Sequence, residues 1–119
     1  MIVATLYDEK NEMIKEKVDK LKEYTITSDY LKEYTFKYIN KINANSRYDV
    51  CIVLSNKIDQ INKYISKIKD LKKCIIVTGV LSADHVLACI NITDNLSYLN
   101  SPPNVILEKV IKVYEERNF

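Results

Sequence analysis

Polar side chains that could do chemistry follow three apolar segments of the chain. Asp8 and Glu9 follow the first segment, Ser55 follows the second, and Thr78 ends the third. A serine hydroxyl becomes a nucleophile when a general base activates it, and the only histidine, His85, lies far along the sequence from Ser55. The alternative for each group is a local structural role: the two acids would stabilise the start of the next helix, and Thr78 would bond nearby backbone.

Cysteine spacing and glycine content argue against metal and nucleotide sites. The three cysteines, Cys51, Cys74 and Cys89, form no CxxC pair, and a zinc site needs about four clustered ligands. One glycine in 119 residues is too few for phosphate loops whose backbone must approach the ligand. We therefore expect no metal and no cofactor. Cys51 and Cys74 lie in apolar segments and are expected to be small buried hydrophobic residues.

Apolar segments alternate with helical patterns along the chain, which predicts parallel strands joined by helices. A continuous apolar run such as Val50–Leu54 is typical of a strand that is covered on both faces. The predicted strands are residues 2–6, 24–27, 50–54, 74–78 and 96–99. The second strand is predicted from the β-branched run Tyr24-Thr25-Ile26-Thr27.

Five helices are predicted between and after these strands. The apolar face of the first consists of Ile14, Val18 and Leu21, that of the second of Leu31, Tyr34 or Thr35, Tyr38 and Ile42, and that of the third of Ile58, Ile61, Ile65 and Ile68. The fourth is a short helix at 83–90, and the last covers 103–116. The second of these helices would be capped by Ser28 or Asp29. The pattern predicts an α/β fold with a doubly wound five-stranded parallel sheet in the flavodoxin-like order 2-1-3-4-5, whose carboxyl edge binds ligands.

The last third of the chain resembles the receiver domain of bacterial response regulators, the CheY-like family. The resemblance rests on Thr78 after the fourth strand, Tyr98 in the fifth strand and Pro102 beyond it. In that family an aspartate accepts a phosphoryl group, acids after the first strand hold Mg²⁺, and a lysine contacts the phosphoryl oxygens. The resemblance implies that Asp8 and Glu9 match the acids, Thr78 the hydroxyl and Tyr98 the switch aromatic.

Two essential groups of that family are missing from this sequence. The acceptor position falls on Leu54 or Ser55, neither of which is aspartate, and Ser101 replaces the lysine. Phosphoryl transfer needs a nucleophile that accepts the group, and a metal ion and lysine that neutralise its charge, so we expect no catalytic residue. The predicted vestigial receiver pocket consists of Asp8, Glu9, Ser55, Thr78 and Ser101.

This degenerate pattern is similar to the N-terminal domain of TadZ/CpaE pilus-localisation proteins and to stand-alone pseudo-receivers. It implies a phosphorylation-incompetent, non-enzymatic domain over residues 1–119 that mediates protein–protein interaction, dimerisation or localisation of a larger assembly. An ATPase or effector domain would then be attached in a longer protein. The alternative is an active single-domain response regulator or phosphorelay receiver with an atypical acceptor. A small flavodoxin-like enzyme, the third class, would need a catalytic constellation that the sequence does not display.

The last helix is the predicted interaction surface, because its apolar arc is wider than one sheet-covering stripe. The residues assigned to the interface are Leu107, Ile111 and Tyr114. The partner would be another protein or a second copy of the chain, with deeper burial of this arc as the alternative. The bond between Ser101 and Pro102 is predicted to be cis, as is common in the family at this turn.

Composition excludes several other classes of partner. The net charge of +2, from 18 basic and 16 acidic residues, is too balanced for electrostatically driven nucleic-acid binding. No segment approaches the roughly 18 consecutive apolar residues of a membrane span. The odd cysteine count and the absence of a recognisable leader predict a cytoplasmic protein.

Overall fold

A computed structural model describes residues 1–43 and 45–118, which form five strands and four helices. The strands are β1 (Ile2–Tyr7), β2 (Lys37–Ile39), β3 (Val50–Leu54), β4 (Cys74–Thr78) and β5 (Leu96–Tyr98). The helices are α1 (Glu12–Thr27), α2 (Ile58–Ile65), α3 (Ala83–Ile92) and α4 (Pro103–Asn118), and two 3₁₀ turns cover Asp29–Leu31 and Leu71–Lys73. All strand pairs are parallel, and their order is β2-β1-β3-β4-β5. The predicted flavodoxin-like α/β fold is therefore confirmed.

The sheet is buried on both faces, which explains its continuous apolar strands. On one face, Ile52 of β3 packs in a core with Val18 of α1 and Val110 of α4. On the other face, Val53 of β3 packs in a second core with Ile61 of α2 and with α3. Every residue of β3 and β4 is buried, so these two strands form the rigid centre that fixes the positions of the residues at their ends.

The prediction of a second strand at 24–27 is wrong, because these residues form the last turn of α1. Tyr24 packs against the first core and continues the face begun by Ile14, Val18 and Leu21. The hydroxyl of Thr25 donates a hydrogen bond to the Leu21 carbonyl oxygen at 2.8 Å, within the helix. The amphipathic period therefore outweighs the local β preference of the Thr-Ile-Thr sequence.

The helix predicted from Ser28 to Ile42 is also wrong. Only the 3₁₀ turn Asp29–Leu31 is helical there, and Tyr38 lies in β2. This short strand pairs with the start of β1, where Lys37 N–H donates to the Met1 carbonyl oxygen at 2.9 Å. No helix occurs in the described residues between β2 and β3 (40–43 and 45–49); the side chains of Ile42 and Tyr48 pack against the second core there.

Pro102 and Pro103 are consecutive residues at the corner between β5 and α4. The prediction of a cis Ser101–Pro102 bond is wrong, because no cis peptide occurs in the described part of the chain. Ser101 N–H donates to the Tyr98 carbonyl oxygen at 3.0 Å and closes the turn. Pro103 is the first residue of α4, where the missing N–H of proline costs no helical hydrogen bond. Ordinary turn and helix-start geometry therefore makes the corner.

Candidate functional site

The carboxyl ends of β1, β3, β4 and β5 meet at one edge of the sheet, as the sequence predicts. Tyr7 of β1 is in register with Leu54 of β3, and Thr78 of β4 is in register with Tyr98 of β5. Leu54 in turn pairs with Val77 of β4. The five predicted pocket residues follow or end these strands, so the fold places them along a common edge. Their hydrogen bonds decide what each can do.

Ser55 is buried, and its backbone N–H and its hydroxyl both form hydrogen bonds to nearby residues. It has no exposed surface, and its backbone N–H donates to the Val77 carbonyl oxygen at 3.1 Å. The hydroxyl donates to Oε1 of Gln60 at 2.6 Å and accepts the Lys57 N–H at 3.1 Å. These bonds hold the β3–α2 turn and use the single donor of the hydroxyl and one of its two acceptor sites. Ser55 is therefore a structural residue, without a general base beside it.

Thr78 is bonded to His85, the only histidine of the sequence. Its hydroxyl oxygen lies 2.9 Å from Nε2 of His85 and accepts the Val80 N–H at 3.3 Å. Thr78 has no exposed surface, whereas His85 is half-buried on α3. The bond joins the end of β4 to the first turn of α3, as the local structural alternative for Thr78 anticipates.

Asp8 and Glu9 both have local partners, and neither is the cap of α1. Asp8 Oδ1 accepts the Lys10 N–H at 2.9 Å, and Glu9 Oε1 accepts an N–H from the Asn40 amide at 2.9 Å. The capping residue is Asn11, whose Oδ1 accepts the Ile14 N–H at 3.2 Å. Within residues 1–43 and 45–118, no group of three or more His, Cys, Asp or Glu side chains is arranged to hold a metal ion.

A lysine does lie beside position 101, but it comes from α1. The amine of Lys17 donates a hydrogen bond to the carbonyl oxygen of Ser101. Burial lowers the pKa of Lys17, and the nearby charge of Lys20 lowers it further. Sequence reasoning missed this residue. Its position could have revealed it, because Lys17 lies between Ile14 and Leu21 in sequence, on the buried stripe of the helix.

Asn56 and Gly79 connect the ends of β3 and β4. Asn56 Oδ1 accepts the Gly79 N–H at 2.7 Å. A Cβ at position 79 would lie 3.0 Å from that oxygen and 3.1 Å from Cδ1 of Leu99. Glycine therefore permits the close approach of this amide. Tyr98, the predicted switch aromatic, is half-buried and packs against the second core.

The predicted interface on α4 needs correction. Leu107 is fully buried in the first core, and Ile111 and Tyr114 are half-buried against it. The prediction of Leu107 as a surface contact is therefore wrong, since the wide apolar arc of α4 is used inside the domain. Large exposed apolar side chains occur instead on α3, where Leu87 is 58% exposed and Ile90 43% exposed.

The three cysteines are free thiols, and all are buried. Cys51 and Cys74 are register partners on β3 and β4, which confirms their prediction as buried strand residues. A hydrogen bond with Cys74 and burial raise the pKa of the Cys51 thiol. A thiol held in its protonated form is a poor nucleophile.

Comparison with known proteins adds no further constraint on function. No protein-family model matches the chain, and a search of curated proteins finds no match. Among the described residues, none of the helices combines the length and apolar character needed to cross a membrane. The fold and the geometry of the carboxyl edge are therefore the grounds for a functional proposal.

Proposed function

We propose that this chain is a phosphorylation-incompetent receiver-like domain that mediates protein–protein interaction. The observation that supports the proposal best is the state of Ser55, at the position where the receiver family has its acceptor. The side chain is inaccessible, and its hydroxyl is committed to Gln60 and Lys57. Phosphoryl transfer requires an accessible nucleophile in line with the donor, which this arrangement opposes.

Three of the four remaining pocket positions support the same proposal. Thr78 is bonded to His85, Asp8 closes a backbone turn and Glu9 holds Asn40. Each group therefore has a structural use that does not depend on phosphate or Mg²⁺. The function assigned to the domain is that of a rigid module that presents its outer surface, in the cytoplasm, to a partner or a second copy within a larger assembly. The free state of all three cysteines fits a reducing compartment.

The exposed apolar residues of α3 are the best candidates for the interaction surface. Leu87 and Ile90 lie three residues apart on one helix, so they share a face. Neither forms part of the two cores, and exposed large apolar side chains that cluster on a helix are typical of contact sites. In this proposal the α3 face replaces the predicted α4 face as the surface through which the domain dimerises.

Sedimentation velocity over a range of concentrations tests this surface. We expect the wild-type protein to self-associate and the Ile90→Lys variant to be monomeric, because burial of an unpaired ammonium group is costly. The matched control is Ile26→Lys on α1, where the isoleucine is 78% exposed; this variant should sediment like the wild type. A wild-type protein that is monomeric throughout, or equal loss of association in both variants, would contradict dimerisation through α3.

A further inference from the structure

A cleft of about 510 Å³ opens beside α1 at the carboxyl edge of the sheet. Its volume falls in the range of about 300–1,000 Å³ that small-molecule sites occupy. Its lining includes the charged side chains of Glu16, Lys17 and Lys20, the amide of Asn56, and the apolar side chains of Met13, Leu81 and Leu99. None of the five vestigial pocket residues lines it, so the cleft is a separate feature of the same edge.

The cleft has a cationic side. Lys20 is paired with Glu16 at 3.4 Å, which reduces its contribution. Lys17 forms no ion pair with any carboxylate in the described part of the chain. One of its three donors is used by the Ser101 carbonyl oxygen, so two N–H groups of a half-buried ammonium are left for a ligand.

Asn56 adds a neutral donor next to this charge. Because the Gly79 N–H is a donor, the Asn56 atom 2.7 Å away must be the carbonyl oxygen of the amide. The amide is therefore oriented by the protein, and its NH₂ group has no partner among residues 1–43 and 45–118. Fixed donors without internal partners are complementary to ligand oxygens that carry negative charge.

Apolar side chains also line this cleft. Met13 is 75% exposed and Leu81 is 62% exposed, and Leu99, which also lines the cleft, is half-buried. Small-molecule sites are lined mainly by apolar side chains, and a ligand with an apolar body would cover Met13 and Leu81.

We propose that this cleft binds a small organic anion whose carboxylate or phosphate head contacts Lys17 and Asn56 and whose apolar body covers Met13 and Leu81. The donors and the apolar residues lie within one cleft of small-molecule size. The two head groups share the same recognition chemistry: negatively charged oxygens that accept N–H bonds from an ammonium and an amide. The proposal is independent of the dimerisation surface, because neither Leu87 nor Ile90 lines the cleft.

Titration with octanoate and with octyl phosphate, followed by amide chemical shifts in ¹H–¹⁵N spectra, tests the proposal. We expect saturable shifts at Lys17, Asn56 and Leu81 with at least one of the two probes, and the tighter one identifies the head group. 1-Octanol, which has the apolar body without the charge, should bind about tenfold more weakly, and acetate should give no saturable shift.

Substitutions of single residues test whether the probes bind in this cleft. Lys17→Gln should weaken the tighter probe by about tenfold, the size of one charge-assisted hydrogen bond. The control Lys15→Gln, an exposed residue of the same helix that does not line the cleft, should change the affinity less than about twofold. Leu81→Ala should also weaken binding, whereas Leu87→Ala should not. The proposal is overturned if neither anion gives saturable shifts at these residues, if octanol binds as well, or if Lys15→Gln weakens binding as much as Lys17→Gln.

Discussion

Two regions of the same sheet edge use their polar groups in opposite ways. At the ends of β3 and β4, Ser55 and Thr78 are fully buried and bonded to other side chains of the domain. Beside α1, Lys17 and Asn56 keep donors without internal partners, next to exposed apolar side chains. The comparison teaches that one part of the carboxyl edge of a sheet can be structural, while a neighbouring part of the same edge stays open for binding.

The largest effect is expected from placing an acid at position 55, which the resemblance to receiver domains matches to their acceptor aspartate. Ser55→Asp would place a carboxylate in a site with no exposed surface, next to the Gln60 oxygen. We expect it to lower the free energy of unfolding by about 3–5 kcal/mol, as for a buried charge without a partner. Urea denaturation measures this value, and Asn62→Asp on the exposed surface of α2 is the control. A stable variant that gained phosphoryl-acceptor activity would show that only the missing acid, and not the burial of the site, prevents phosphoryl transfer.

A smaller loss is expected when the Ser55 hydroxyl is removed. Ser55→Ala leaves the Gln60 oxygen and the Lys57 N–H without their partner, which should cost about 1–3 kcal/mol of stability. Adding Gln60→Leu to the alanine variant should recover part of that loss, since the pair of bonded groups is then replaced together. If Ser55→Ala is as stable as the wild type, the hydroxyl is not the structural element described above.

The smallest effect on stability is expected in the cleft. Burial and Lys20 lower the pKa of Lys17, so the charged form of this lysine is disfavoured in the folded protein and its removal relieves that cost. Lys17→Gln should therefore change the free energy of unfolding at neutral pH by no more than about 0.5 kcal/mol, as measured in the same urea experiment. A loss as large as that of Ser55→Ala would erase the distinction between the two regions.

The central strands could be predicted from sequence because a continuous apolar run is typical of a strand that is covered on both faces. β3 and β4 have the predicted bounds, and the strand order follows from the alternation of strands and helices. The segment 24–42 could not be assigned in the same way. Its β-branched residues suggested a strand, but the helical period of α1 continues through Thr27 and shifts the true second strand to Lys37–Ile39.

The position of the candidate site could be predicted from the sequence, but the hydrogen bonds of its side chains could not. Sequence places Ser55 and Thr78 at strand ends, and the structure brings them to one edge. Gln60 bonds Ser55, His85 bonds Thr78, and Lys17 bonds Ser101. All three of these partners lie on helices, whose rotation about their axes sets each contact. Small differences in helix orientation decide such contacts, so spacing along the chain did not reveal them.

The central claim is that the carboxyl edge cannot accept a phosphoryl group, and intact-mass measurement tests it most directly. The wild-type protein is incubated with acetyl phosphate and Mg²⁺ beside an active receiver domain as the positive control, and both are analysed under conditions that preserve acyl phosphates. We predict a phosphoryl adduct on the control and an unchanged mass for this protein, because Ser55 is buried and Asp8 closes a backbone turn. A stoichiometric adduct mapped to Asp8 or Ser55 would contradict the account.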